Sequence, residues 1–142
     1  MRLIDTEGSE PELVHETNTT RVWVMDSIAF ASRTHAGDVI VTGSHGGTSA
    51  GEYAADFGVS VVVCNDAGIG KNRAGLAGLE AVAAQGIVGI AVSHHSARIG
   101  DGSDTWSSGA ISYVNAAGEQ AGVRTGRPVR DEILALVDRR GS

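Results

Sequence analysis

The sequence contains few of the features that mark disulfide-rich, nucleic-acid-binding or membrane proteins. Its one cysteine, Cys64, excludes an internal disulfide framework. The formal net charge is −6, and no basic stripe with interleaved aromatic residues is present, which argues against a nucleic-acid-binding surface. No apolar segment near the start resembles a secretory signal, and the longest stretch without Asp, Glu, Lys or Arg, residues 81–97, is too short to span a bilayer. We therefore expect a cytoplasmic protein that binds neither nucleic acid nor membrane.

Aromatic residues are also scarce, at 4% of the 142 residues, so the core must consist of Val, Ile, Leu and Ala. Such a core suits a buried sheet flanked by helices. Glycine, in contrast, is abundant: its 20 copies are about twice the number that average usage would give. The glycines are scattered singly or in pairs, which excludes a collagen repeat and a glycine-rich linker. The length suits one domain with a hydrophobic core.

Short apolar runs predict the strands of a mostly parallel sheet. The segment "RVWVM" at residues 21–25 alternates in hydrophobicity, and three later runs are β-branched and apolar throughout, at 38–44, 59–65 and 86–93. Continuous apolar runs of this length are typical of parallel strands that are covered on both faces. Residues 1–18 are acidic and show little periodicity, and we interpret them as an N-terminal arm with a short edge strand.

Helix signals separate and follow these strands. Ser49 and Glu52 form a capping-box pattern that predicts a helix near 50–57, ended by Gly58. The other predicted helices are a second that runs from about 76 to Gly86, a third from 104 through 111 and 114 to 122, and a fourth after Pro128. The sequence therefore predicts residues 19–142 to be a single α/β domain: three layers, with a mostly parallel sheet of about four to five strands and helices on both faces.

Three polar, glycine-rich segments each follow a predicted parallel strand. They read "TGSHGGTSAGE", "CNDAGIGKNR" and "SHHSARIGDGSD". Ligand crevices in open α/β sheets lie at the carboxyl ends of the strands, so we expect these segments to share one opening. The glycine spacing matches neither G-x-x-x-x-G-K-[ST] nor G-x-G-x-x-G, which leaves a nucleotide site unsupported.

Substrate-binding residues are predicted in all three segments, where glycines allow the backbone to approach a ligand closely. They are Ser44, Gly46, Gly47, Asn65, Gly68, Gly70, Arg98 and Asp101.

The residues that could carry acid–base or nucleophilic chemistry are His45, Asp66, Lys71, His94, His95 and Ser96. One histidine of the 94–95 pair, or Lys71, would be the general base, and Ser96 or Ser44 would be the nucleophile or would orient a water. Arg98 and the amides of the glycine-rich loop would stabilise the developing oxyanion.

Structural roles stay open beside these chemical ones. Lys71 and Arg98 could be ordinary surface residues, Asp66 could form an Asx turn, and Ser96 could cap the backbone. Cys64 ends an apolar run and is interpreted as a buried structural thiol.

A metal site is not expected. His94 and His95 are adjacent, so on extended backbone their side chains would point to opposite faces and could not readily share an ion. We therefore predict neither a metal nor another cofactor.

These observations lead to a small-molecule enzyme as the first hypothesis, most simply a hydrolase of an amide or ester bond in a small polar or anionic metabolite. A lyase or isomerase that uses the same histidines and lysine for proton transfer is an alternative, and a non-catalytic ligand-binding or regulatory module is another. Limited helical cover over so many apolar strands also predicts a homo-oligomer.

Overall fold

A computed structural model describes residues 10–140, which form a mostly parallel α/β fold. The six strands are β1 (Glu12–Glu16), β2 (Arg21–Met25), β3 (Val39–His45), β4 (Val61–Asn65), β5 (Val88–Val92) and β6 (Ile111–Val114). The five helices are α1 (Thr48–Phe57), α2 (Ala77–Val82), α3 (Gly102–Ser108), α4 (Ala116–Gln120) and α5 (Val129–Arg140). The acidic arm predicted for residues 1–18 lies partly outside the described residues, and its later part contains β1.

The sheet has the strand order β1-β2-β3-β4-β5-β6, so spatial order follows chain order. The four central strands, β2 to β5, run parallel, and β1 and β6 flank them in antiparallel pairing. Because a parallel pair needs a crossover connection, α1 lies between β3 and β4 in the chain and α2 between β4 and β5. All residues of β4 and β5 are buried, as expected for central strands that are apolar throughout.

Side-chain alternation along the strands divides the core into two clusters. One contains Val63 and Ile90 together with residues of α5, such as Ile133. The other contains Val62 of β4 and Ala54 of α1, with Leu79 of α2. Valine, isoleucine, leucine and alanine dominate both clusters, in agreement with the low aromatic content.

Glycines allow α1 and α2 to pack closely. A Cβ on Gly78 would overlap the carbonyl oxygen of Gly47, and a Cβ on Gly51 would lie 2.6 Å from the carbonyl oxygen of Gly78. The helix α1 starts at Thr48 with Gly47 as its N-cap, so the predicted capping role of Ser49 is wrong. Its predicted end is confirmed, because Gly58 adopts a left-handed conformation with φ of 70°.

The third predicted helix is wrong in its middle. Residues 104–122 form the end of α3, the strand β6 and the helix α4. The helix α3 stops at Gly109, and β6 then pairs antiparallel with β5 before Asn115 caps α4. Ile111 and Val114 are spaced three residues apart as on a helix face, but both reach the core from a strand with an irregular register. The sheet therefore has more strands than predicted.

No helix within residues 10–140 is long and apolar enough to cross a membrane.

Candidate active site

The polar segments after β3, β4 and β5 contact one another at the carboxyl edge of the sheet. The segment after β5 crosses the ends of the neighbouring strands: the Asn65 side chain donates to the carbonyl of Ala97 (2.9 Å), and the Gly100 amide donates to the carbonyl of Gly43 (2.8 Å). It then reaches β2, where the amide of Gly102 donates to Asp26 Oδ1 (3.0 Å). The chain after β5 thus spans the sheet edge before α3 begins.

The Asp66 carboxylate is the most completely bonded acidic group at this edge. Oδ1 accepts the amide of Gly68 (2.8 Å) and the amide of His94 (3.1 Å), and it lies 3.3 Å from His94 Nδ1. Oδ2 accepts the hydroxyl of Ser112 (2.7 Å). Asp66 is buried, whereas 39% of the His94 side chain is exposed, so the acid is held inside and the imidazole faces solvent.

These contacts determine which nitrogen of His94 carries the proton. Burial raises the pKa of Asp66, but hydrogen bonds from Ser112, Gly68 and His94 outweigh burial and hold that pKa below its usual value. The carboxylate is therefore ionised at neutral pH and can only accept. When the imidazole is neutral, the contact with Asp66 requires the proton on Nδ1, which leaves the lone pair on Nε2. Asp66 and His94 are therefore oriented like the carboxylate and imidazole of a carboxylate-supported general base.

His95 stacks against His94, which corrects the prediction that the two rings point to opposite faces. The ring centroids are 3.9 Å apart and the planes are tilted by 39°. The prediction assumed extended backbone, but residues 93–96 form a turn in which the Ser96 amide donates to the carbonyl of Ser93 (2.9 Å).

The loop that follows Asp66 is held in left-handed backbone conformations. Gly68 and Gly70 have φ of 77° and 76°, and a Cβ on Gly68 would lie 3.5 Å from Cε1 of His94. The amides of residues 67–70 all donate to acceptors within residues 65–68. The expectation that these loop amides stabilise an oxyanion is therefore wrong for 67–70, because their hydrogens are already used.

The two serines predicted as nucleophiles are bonded to backbone. Ser96 Oγ donates to the carbonyl of Ser93 (2.7 Å) and accepts the amide of Ala110 (2.9 Å). Ser44 Oγ accepts the amide of Ile28 (3.0 Å). Neither hydroxyl contacts a histidine or lysine within residues 10–140, so the structure provides no base to activate either serine.

His45 and Lys71 also stand apart from the Asp66 carboxylate. His45 is exposed, and its Nδ1 accepts the amide of Gly47 (3.2 Å). Lys71 is exposed, and its side-chain ammonium group forms no hydrogen bond or ion pair with the described part of the chain. The structure thus unites Asp66 and His94, with His95 against the latter, and leaves the other predicted catalytic groups outside this contact.

Gly46 and Gly47 contact protein where a ligand was expected. Both are buried, and a Cβ on Gly46 would lie 2.7 Å from the carbonyl oxygen of Gly75. A Cβ on Gly47 would lie 2.7 Å from the imidazole of His45. Their close backbone approach serves the packing of the loop against its neighbours.

Three further residues that were predicted to bind substrate form hydrogen bonds within the protein. Asn65 is buried and joins β4 to Ala97, as described above. Asp101 is the N-cap of α3, where its Oδ1 accepts the amide of Asp104 (3.0 Å). The backbone amide of Arg98 donates to Asp104 Oδ2 (2.8 Å), while its exposed guanidinium makes no ion pair with residues 10–140. Of these three, only Arg98 has a side chain that forms no hydrogen bond or ion pair within residues 10–140.

Ser112 donates a hydrogen bond to the Asp66 carboxylate, although the sequence did not single it out as a site residue. It lies on β6, within the segment that was predicted as a helix, so its approach to Asp66 was not foreseen. Apart from Asp66 Oδ2, its hydroxyl lies 3.4 Å from the carbonyl oxygen of Ala91. A correct assignment of β6 beside β5 would have placed it at the same sheet edge.

Within the described residues, no group of three His, Cys, Asp or Glu side chains is arranged to hold a metal ion. Cys64 is buried, and burial raises the pKa of its thiol to about 12 despite a hydrogen bond from Thr42. A thiol in this state is a poor nucleophile, since the thiolate is the reactive form.

Comparisons with protein-family models, with curated proteins and with solved structures find no match. No relative therefore supplies residue roles for this chain.

Proposed function

We propose that the protein is a small-molecule hydrolase in which His94, oriented by Asp66, activates a water molecule for attack on an amide or ester bond. The observation that carries this proposal is the contact between the ionised Asp66 carboxylate and His94 Nδ1 (3.3 Å), with the imidazole open to solvent. The substrate is a small polar or anionic molecule.

The reaction uses the tautomer that this contact requires. Nε2 takes a proton from water as the water oxygen attacks the carbonyl carbon. The resulting imidazolium is stabilised by Asp66 and then donates the proton to the leaving nitrogen or oxygen as the bond to carbon breaks. Asp66 remains ionised throughout, because its contacts with Gly68 and Ser112 favour the charged form.

A water nucleophile fits the site better than a serine. The hydroxyls of Ser44 and Ser96 are bonded to backbone groups, as described above, and neither contacts His94. The exposed cations Lys71 and Arg98 are free to attract an anionic substrate to this edge.

The test is hydrolysis of para-nitrophenyl esters and para-nitroanilides of short acyl groups by the wild-type protein and two variants. His94→Gln removes the base and should lower the rate by about 10²-fold or more. Asp66→Asn keeps the imidazole but loses the charge that sets its tautomer, and should lower the rate by about tenfold or more.

The control is Asp131→Asn, an exposed carboxylate on α5, which should keep the wild-type rate. Equal rates for wild type and His94→Gln would refute the proposal, since any turnover would then come from elsewhere. Loss of rate in the control would show that the assay responds to general damage.

A second candidate is proton transfer at a carbon atom, as in a lyase or isomerase. The observation that favours it is the lack of a hydroxyl nucleophile beside His94 in residues 10–140, since a base alone is sufficient for this chemistry. Deuterium incorporation from heavy water into small carbonyl compounds, lost in His94→Gln, would support this candidate over hydrolysis. Exchange at equal rates in both proteins would reject it.

A further inference from the structure

A cleft opens at the carboxyl ends of β2 and β3, and it contains none of the residues that contact the Asp66 carboxylate. Its volume is about 320 Å³, which is near the lower end of ligand-binding pockets. Asp26, Ser44 and His45 line the sheet side, Tyr53 of α1 lines another side, and Ile99 comes from the segment that follows β5. Three chain segments that are distant in sequence thus form its walls.

The apolar walls of the cleft are unusually exposed. Tyr53 is 41% exposed and Ile99 is 52% exposed, and the described residues contain only two other large apolar side chains with comparable exposure, Leu13 and Phe30. Tyr53 stacks on Phe57, with ring centroids 5.7 Å apart, so the orientation of its ring is supported from within α1. The cleft therefore presents an aromatic and an aliphatic surface to solvent.

The charge of the cleft is negative. Asp26 Oδ1 accepts the amide of Gly102, and Oδ2 has no hydrogen-bond partner in the part of the chain that the structure describes. No lysine or arginine lines the cleft. An adjoining depression shares Ser49 and Tyr53 with it and adds Glu52 and Asp56, the latter 3.7 Å from an arginine.

We propose that this cleft binds a small organic cation, an ammonium group on a short aromatic or aliphatic body. The free oxygen of Asp26 supplies the opposite charge, and the ring of Tyr53 attracts a cation through its π-electrons. The apolar body of the ligand packs against Ile99, and binding is favoured because both apolar surfaces are removed from water. An anionic ligand would meet the like charge of Asp26 and, in the adjoining depression, the carboxylates of Glu52 and Asp56. This site is separate from the His94 reaction, and its test does not depend on that reaction.

The proposal is tested with three probes that share a phenyl ring: phenethylamine, phenethyl alcohol and phenylacetate. Binding is measured by titration of each probe into ¹⁵N-labelled full-length protein, following amide shifts near the cleft. We expect saturable shifts at Ser44 and Gly100 with the amine, about tenfold weaker binding of the alcohol and weaker binding still of the anion. Added salt should weaken binding of the amine, because the attraction to Asp26 is screened.

Matched variants separate the contribution of the Asp26 charge from that of the Tyr53 ring. Asp26→Asn keeps an oxygen to accept the Gly102 amide but loses the charge, and should weaken amine binding by about fivefold or more. Tyr53→Phe keeps the ring and should bind like wild type, whereas Tyr53→Leu keeps apolar bulk and should bind about fivefold more weakly. Asp131→Asn is the control for a loss of one negative charge elsewhere.

Three results would overturn the proposal. One is the lack of saturable shifts with phenethylamine at tens of millimolar, and another is equal binding of phenylacetate. The third is equal binding by wild type and Asp26→Asn. Because no turnover is measured, each of these results leaves the assignment of His94 unaffected.

Discussion

Replacing Asp66 with asparagine should destabilise the fold by about 2 kcal/mol at neutral pH. The asparagine oxygen can still accept the amides of Gly68 and His94, and Ser112 can turn its hydroxyl to accept from the new NH₂ group. The geometry is therefore retained, and the loss is the charge-assisted part of the two shortest bonds, from the Gly68 amide (2.8 Å) and the Ser112 hydroxyl (2.7 Å). A hydrogen bond to a charged group is worth about 1 kcal/mol more than a neutral one.

Asp66→Ala should cost more, about 4 kcal/mol, because it leaves the amides of Gly68 and His94 without an acceptor. Urea unfolding followed by circular dichroism measures both free energies of unfolding. Glu52→Gln is the matched control, since it removes one negative charge from an exposed side chain that forms no hydrogen bond within residues 10–140.

The loss in Asp66→Asn should depend on pH with a definite sign. The folded-state pKa of Asp66 is lowered from its usual 3.8, so the carboxylate stabilises the fold at pH values above 3.8. That stabilisation is lost as the pH falls through the lowered folded-state value. The difference between wild type and Asp66→Asn should thus shrink as the pH falls below about 4. A difference that equals that of Glu52→Gln at neutral pH, or that does not shrink below about pH 4, would refute this account of the site.

Three substitutions and one labelling experiment test the packing. Gly78→Ala should destabilise the fold by about 3 kcal/mol in urea unfolding, because its methyl group would overlap the Gly47 carbonyl. Gly86→Ala, with open space around it and a left-handed backbone with φ of 79°, should cost only about 1 kcal/mol. Equal losses would contradict this reasoning. Asn115→Ala should lower the free energy of unfolding by about 3 kcal/mol, because the carbonyls of Leu79 and Ile87 would lose the buried NH₂ group that donates to them. A loss below about 1 kcal/mol would count against this role of Asn115. Cys64 should resist a disulfide reagent such as dithionitrobenzoate in the native protein, because burial raises the pKa of its thiol to about 12. It should react once the protein is unfolded in urea. Rapid reaction of the native protein would instead show that the thiol is accessible.

Local sequence patterns predict the central strands well because their signal is local. Continuous β-branched runs mark β3 to β5, and the polar residues that follow parallel strands share one sheet edge by geometry alone. This is why Asp66 and His94, 28 residues apart in the chain, could be expected at the same edge. Their direct contact could not be predicted, because it depends on a turn at 93–96 that places the imidazole back over the end of β4.

Other features depend on distant parts of the chain and carry no local signal. The spacing of Ile111 and Val114 fits a helix as well as a strand, and only pairing with β5 selects the strand. The glycines pose the same difficulty. A side chain at position 43 would overlap the backbone of Gly100 and Asp101, which pass directly over Gly43. Nothing near Gly43 in the sequence reveals these neighbours.

The backbone of the loop after β4 gives an independent reason to place function beside His94. Within residues 10–140, every non-glycine residue with positive φ lies in this loop: Ala67, Ile69, Asn72 and Arg73. Such conformations cost about 1 kcal/mol or more each, and they persist only where surrounding contacts hold them.

Those contacts are present at both ends of the loop. Asp66 accepts the Gly68 amide at its start, and the Arg73 guanidinium binds Glu80 (2.9 and 3.1 Å) and lies 5.7 Å from the ring centroid of Tyr113 at its end. Through the Gly68 amide, the strained loop supplies one of the hydrogen bonds that lower the pKa of Asp66, and Asp66 in turn contacts His94 Nδ1.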